Sequence, residues 1–427
     1  MPEDYFPGLR LILADASRQS PTILAKNLDR AQAEASRHRA ESALYPTLGG
    51  SANYSASSSS VAAAGSDASS SSSGLFYGIN VSQNLFQFGA VKAGADIARI
   101  GEKIAAKQYE EAYRTLAITI RTQYLNLVIK KASLRMARFQ LEFQEQEFKA
   151  KVESIERGES APAERPTAET ALERSRLSTD RLAQDLANAK RILVQISGLT
   201  ELADESIPET FPLLREPAGV SSRLLTAFLQ GGVEQTPQAQ VLAYGVRQSV
   251  LNVTIARTGN LPRFSLGGGY ILNNSTSVDG VGNLSQAAVG SKNYSVGMGW
   301  TLWDSGATKW SKRSALTSKT AAERALRNYI EVNRDEAVQK EKLVGFSYRA
   351  MALVERDRES VLNALNIEKD RLELGTTSRL AVERATVSVN TAELAAFLSR
   401  AAFLQQWIEF VSLVDADPVT NNLPASF

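Results

Sequence analysis

The stretch Leu85-Phe86-Gln87-Phe88-Gly89 returns 217 positions later as Leu302-Trp303-Asp304-Ser305-Gly306, and the residues behind each copy decide the fold. Behind each glycine stand sixty-eight residues without a proline, ending on Gly158 in the first case and on Gly375 in the second. At 1.5 Å per residue each stretch predicts a helix roughly 100 Å long, far beyond the ordinary globular length. A helix that long needs partners along its whole side, which predicts a coiled coil. A seven-residue repeat supports this: Tyr113, Ile120, Leu127, Leu134, Leu141, Phe148 and Ile155 hold one position. Ile330, Ala337, Val344, Met351, Leu365 and Leu372 hold the equivalent one, interrupted at Arg358. The companion positions are mixed (Leu116, then Gln123 and Lys130), so the seam is not a simple two-stranded zipper.

Outward from this pair the rest of the chain is doubled too. Ser20-Pro21 returns as Thr236-Pro237, and Pro46 with Tyr54 as Pro262 with Tyr270. Landmarks that keep so long a period mark a duplicated structural unit rather than a solenoid of short repeats. Ser20-Pro21 and Thr236-Pro237 each combine an N-cap with a proline at the first helical position. The helices they open are stopped by Pro46 and Pro262, because proline lacks the donor and clashes with the preceding turn.

After each of these prolines the period changes from helical to alternating. Phe264, Leu266, Gly268, Tyr270 and Leu272 share one face against Ser265, Gly267 and Gly269. Tyr294, Val296, Met298, Trp300 and Leu302 do the same against Ser295, Gly297, Gly299 and Thr301. In the first copy Tyr77, Ile79, Val81 and Leu85 oppose Gly78, Asn80, Ser82 and Asn84, with a weaker strand carrying Leu48, Ala52 and Tyr54. One greasy and one small polar face is the pattern of a membrane barrel wall with a wet lumen; an amphipathic hairpin over a soluble core has the same period. Between the first pair lies Ser55 to Ser73, eleven of nineteen residues serine. That composition reads as a solvated hairpin loop, with Asn273 to Lys292 as its counterpart.

Gly158 and Gly375 each supply a C-cap, after which the chain turns into a return helix, 163–197 and 380–414. Pro166 must fall in the first turn of the former, or that helix must begin late. The expected organisation is a lead, 1–19; a first repeat, 20–199, with strand hairpin 46–86 and long helix 90–157; a linker, 200–235; a second repeat, 236–415, with hairpin 262–303 and long helix 307–374; and a tail, 416–427. In each copy the opening and return helices together match the long helix in length, which predicts two short helices stacked end to end beside it.

The chain has no cysteine, one histidine (His38) and nearly balanced charge, 48 basic against 46 acidic side chains. Thiol, zinc and imidazole chemistry lack their raw material, no nucleic-acid footprint is legible, and no cofactor or metal is expected. Gly267-Gly268-Gly269 lies in a strand and not at a helix N-terminus, so it is no phosphate cradle. An enzyme is not expected. Leu9 to Ala14, broken by Arg10, is too short for a secretory h-region. No run approaches the ~20 apolar residues of a transmembrane helix, so a membrane crossing would use strands.

The doubled set of Ser-Pro helix start, Tyr45-Pro46 before the strand, Leu85 to Gly89, Arg157-Gly158 at the tip and Ile196-Ser197-Gly198-Leu199 at the close resembles the TolC-like outer-membrane factors. The resemblance implies a mostly α fold with a small β part: long helical hairpins forming an α-barrel tunnel, with four strands per chain in a trimeric twelve-stranded β-barrel. It implies a homotrimer in the bacterial outer membrane with a long periplasmic extension. That assembly would serve as the exit duct of a tripartite efflux pump or type I secretion system. Its partners would be outer-membrane lipid, a periplasmic adaptor and, indirectly, an inner-membrane pump. The lipid-facing set would be Tyr54, Tyr77, Ile79, Val81, Phe264, Leu266, Tyr270, Tyr294, Val296, Met298 and Trp300. The adaptor would dock on Gly158, Glu159, Gly375 and Thr376. The family's acidic mouth falls on Glu164 in the first hairpin and on Ala381 and Arg384, with Glu383 between them, in the second. This departure allows a mixed ring as well as an acidic one. The alternative function is a non-conducting coiled-coil stalk, structural or adhesive, at the cell surface.

Overall fold

The computed structural model describes residues 1–63, 66–203, 207–209, 211–212, 214, 219–279 and 283–418. Helices α1 (Pro7–Gln19) and α2 (Pro21–Ser42) lead into strands β1 (Thr47–Ala63) and β2 (Ser66–Phe86), then α3 (Ala90–Glu156) and α4 (Arg165–Ser197). A short helix α5 (Val220–Leu229) precedes the second copy: α6 (Pro237–Arg257), β3 (Arg263–Val278), β4 (Leu284–Gly299), α7 (Ala307–Glu373) and α8 (Arg379–Leu413). Both long helices run 67 residues. Pro166 sits in the first turn of α4, where its missing N–H costs no hydrogen bond.

The chain divides into two compact units. The first comprises Met1–Leu28, Lys107–Gln240 and Arg327–Phe427. Its core explains the heptads: Tyr113, Ile120, Leu127, Leu134, Ala337, Val344, Met351 and Leu365 are all buried. Against α4 and α3 packs the N-terminal segment, expected only as a lead. Phe6, Leu9, Ile12, Leu13 and Ala16 are buried there, with the Phe6 ring 5.2 Å edge-on from Phe211. Each of these side chains larger than Ala16 contributes about 1.5–3 kcal/mol through burial. From the segment between copies Ile207, Phe211, Phe228 and Val233 join the same core.

Within this unit α4 ends against the start of α2. Ser20 Oγ donates to the Ile196 carbonyl at 2.9 Å. Gly198 closes α4 at φ 77°, where a Cβ would stand 2.4 Å from the Gln19 carbonyl oxygen. Only glycine meets both the left-handed backbone and that approach.

The second unit comprises Asp29–Ala106 and Val241–Leu326. Its strands form one antiparallel sheet in the order β1-β2-β3-β4, so a single chain leaves the outer edges of β1 and β4 unpaired among the described residues. Here the expectation from composition needs correction, because Ser55 to Ser73 is not a loop. The β1–β2 ladder runs from Thr47↔Ser82 through Ser59↔Ser70 to Ala63↔Ser66. Serine is small enough to sit on both faces of a ribbon whose hydrogen bonds come from the backbone, and Ser59 and Ser70 add a hydroxyl pair at 2.9 Å. Likewise Asn273 to Lys292 is mostly strand, with the β3–β4 ladder ending at Val278↔Leu284. Asp279 closes this second hairpin by accepting the Asn283 backbone N–H at 2.8 Å. The hairpin tips, 64–65 and 280–282, lie outside the described residues.

Candidate functional site

Two places carry the residues singled out by the sequence. The first is the helical tip, in the first unit. Gly158, at φ 73°, donates to the Ile155 carbonyl while Glu159 donates to Ser154. Gly375, at φ 71°, and Thr376 repeat this on Leu372 and Arg371. Both are Schellman caps, which satisfy the last carbonyls of the long helices and turn the chain sharply.

Behind each tip the return helix is tied to α3 by an ion pair. Glu164 is paired with Lys151, whose hydrogen bond holds the Glu164 carboxyl below its ordinary value. Arg384 reaches Glu147 at 3.0 Å. Between these pairs lies a groove of about 590 Å³ lined by Phe148, Ser154, Thr167, Ala171 and Leu380 as well as the paired residues. Glu383 is paired with Arg379 at 3.2 Å on its own helix, and Ala381 supplies only the backbone N–H that Ser378 Oγ accepts at 3.2 Å. Each acid in the candidate set thus has a cation beside it. The set is mixed in charge, and the structure brings Glu164 and Arg384, but not Glu383 or Ala381, to the groove.

The second place is the sheet. Register puts the predicted greasy residues on common rungs: Val81, Gly268 and Tyr294; Ile79 and Tyr270; Phe264 and Met298; Leu266 and Val296. Tyr77 stands opposite Ala52, and Tyr54 opposite Leu75. Apart from half-buried Phe264, the eleven are exposed, Tyr294 by 84% and Val296 by 75%. The opposite face carries Ser51, Gly78, Asn80, Ser82, Gly267, Gly269, Asn293 and Ser295. The alternation has exceptions that the sequence pattern does not announce. Phe76 and Ile271 fall on the small polar face, and Lys292 shares a rung with Tyr270 on the greasy one.

Sequence reasoning misses a third cluster. Arg121, fully buried, reaches Glu3 Oε1 at 2.6 Å and also pairs with Asp417. Burial opposes its charge, but the Asp417 and Glu3 hydrogen bonds outweigh that and raise its pKa. One α3 side chain therefore clamps segments from both ends of the chain. The partners lie 118 and 296 residues away, so no local pattern signals them.

The duplicated helix-strand-strand-helix order has solved counterparts. The outer-membrane channel CmeC of Campylobacter jejuni is 18% identical, with a TM-score of 0.77 over 97% of this chain and 88% of its own. The open-state MtrE channel of Neisseria gonorrhoeae, also 18% identical, gives 0.74 over 98% and 91%. VceC of Vibrio cholerae, 15% identical, gives 0.67 over 95% of both chains. No curated protein matches the sequence. The profile described as outer membrane efflux protein matches residues 12–199 and 233–414, one segment on each copy. The chain belongs to the outer membrane efflux protein family.

Proposed function

We propose that three copies close into an outer-membrane duct that passes efflux substrate, delivered through a periplasmic adaptor from an inner-membrane pump, to the exterior. The observation that carries this reading is how little the second unit buries. Among its described residues only Ala93, Ala95, Ala105 and Val253 are buried apolar side chains, while Tyr54, Ile79, Tyr294, Val296, Met298, Trp300 and many others stand exposed. A sheet with two open edges and no covered face is not stable alone in water. Ring closure supplies the edges, and lipid the face. From the Phe264 rung to the Asn274 rung the greasy face spans ten residue steps. That is about 33 Å along the strand, or about 25 Å of membrane at barrel tilt. Above it the serine ribbon would stand clear of the bilayer.

Transport would be passive. Gly158, Glu159, Gly375 and Thr376 would meet the adaptor, and the Lys151–Glu164 and Glu147–Arg384 pairs would hold the return helices in the closed packing. Opening is then a shift between two packings of the same helices. The family favours this duct over a non-conducting stalk. The test is dye release from liposomes carrying the purified trimer: release that scales with protein supports the duct, and intact vesicles around a folded, inserted trimer support the stalk.

A further inference from the structure

Where the second copy passes from sheet to helix, the surface changes character. Trp300, Leu302, Trp303 and Trp310 are exposed, Trp303 by 82%. Trp310 lies between two cations, with Lys309 Nζ 5.8 Å and the Arg313 guanidinium 5.5 Å from its ring centroid. Lys309, Lys312 and Arg313 are exposed, and none has an ion pair among the described residues. From Ser305 to Ala322 there is no acidic residue. Asp304, just before, is already engaged: it accepts the Gly306 and Thr308 N–H groups at 3.0 and 2.8 Å and caps α7.

The duplication supplies an internal reference for this patch. At the offset of 217, Trp310, Lys312 and Arg313 correspond to Ala93, Ala95 and Asp96 of the first copy. Ala93 and Ala95 are buried, and Asp96 is paired with Arg99 at 2.9 Å. Lys309 has a counterpart in exposed Lys92, and Leu85 and Phe86 are exposed as Leu302 and Trp303 are, but Trp310, Lys312 and Arg313 belong to the second copy alone. The architecture therefore does not require the patch.

We propose that this junction is a binding site for an anionic phospholipid of the periplasmic leaflet. The lipid phosphate would lie among Lys309, Lys312 and Arg313, and its acyl chains along Trp300 and Met298. Charge complementarity selects the headgroup: tryptophan and basic side chains at the edge of an apolar band face the phosphate level of a bilayer. Continuity selects the tails, because Met298 lies on the greasy face of β4 and Trp300 follows two residues on, just past the strand's end. The proposal rests on the sheet being embedded in the membrane.

The test uses the detergent-purified assembly, titrated with phosphatidylglycerol, phosphatidylcholine or inorganic phosphate while its thermal unfolding is followed. Phosphatidylglycerol is expected to raise the melting temperature at far lower concentration than phosphatidylcholine, and inorganic phosphate to leave it unchanged. The Lys309→Gln/Lys312→Gln/Arg313→Gln variant is expected to need about 100-fold more phosphatidylglycerol for the same shift, at a few-fold per cation. Equal responses to both lipids, an undiminished response in the variant, or stabilisation by inorganic phosphate alone would overturn the site. So would loss of the trimer in the variant, which would assign the patch to a subunit contact. A protein that stays monodisperse without detergent would instead sink the membrane reading beneath it.

Discussion

Arg121 is the residue on which the first unit turns. Its guanidinium is fully buried with Glu3 and Asp417, and removal of one member of a buried ion cluster leaves the others desolvated without compensation. Arg121→Met is expected to destabilise the protein by about 3–5 kcal/mol, read from the shift of a denaturant unfolding curve; a change within error would show the cluster to be hydrated. A second residue-scale contrast concerns glycine. Gly158→Ala meets open space at φ 73° and should cost about 1–2 kcal/mol from the left-handed backbone alone. Gly198→Ala adds the collision with the Gln19 carbonyl and should cost clearly more. Thermal unfolding of the two variants ranks them, and equal costs would mean that the α2–α4 junction yields without resistance. The glycines are legible in the sequence, because a repeated glycine after a long helix is a cap. Arg121 is not, because a charged residue beside a heptad position reads as solvated until its distant partners are placed.

At the scale of elements, the helices are legible almost to their ends. Proline at the first turn, glycine at the last and seven-residue spacing are local signals, and all three are doubled. The serine ribbon is not legible, because composition reports what a side chain can bury, whereas a ladder is held by backbone groups that composition does not describe. The ion pairs behind the tips are also invisible, since Glu147 and Arg384 lie 237 residues apart. They lead to a prediction at this scale. Glu147→Gln with Lys151→Gln removes the two ion pairs that line the groove behind the tips, and should raise dye release from reconstituted vesicles several-fold without changing trimer mass. Acid should act the same way on the wild type. The Glu164 carboxyl is held below its ordinary 4.5, so its tie to Lys151 is present above that pH and lost as pH falls through the lowered value. Release should be flat from neutrality to about pH 5 and rise only below about pH 4.5. A rise already complete above pH 5 would contradict the assignment to Glu164.

For the whole molecule the decisive contrast is between its two units. The first has a continuous core built from α1, α3, α8 and the segment between copies, whereas the second exposes most of its large apolar side chains and leaves its sheet open at both edges. A single chain leaves the outer edges of this sheet unpaired among the described residues, and the proposed closure of three copies in a bilayer would complete it. The measurement that tests this most directly is single-channel recording from the purified protein in a planar bilayer. The account predicts discrete, long-lived conductance steps of uniform size, one for each inserted trimer. A silent bilayer containing folded, inserted trimer would contradict it.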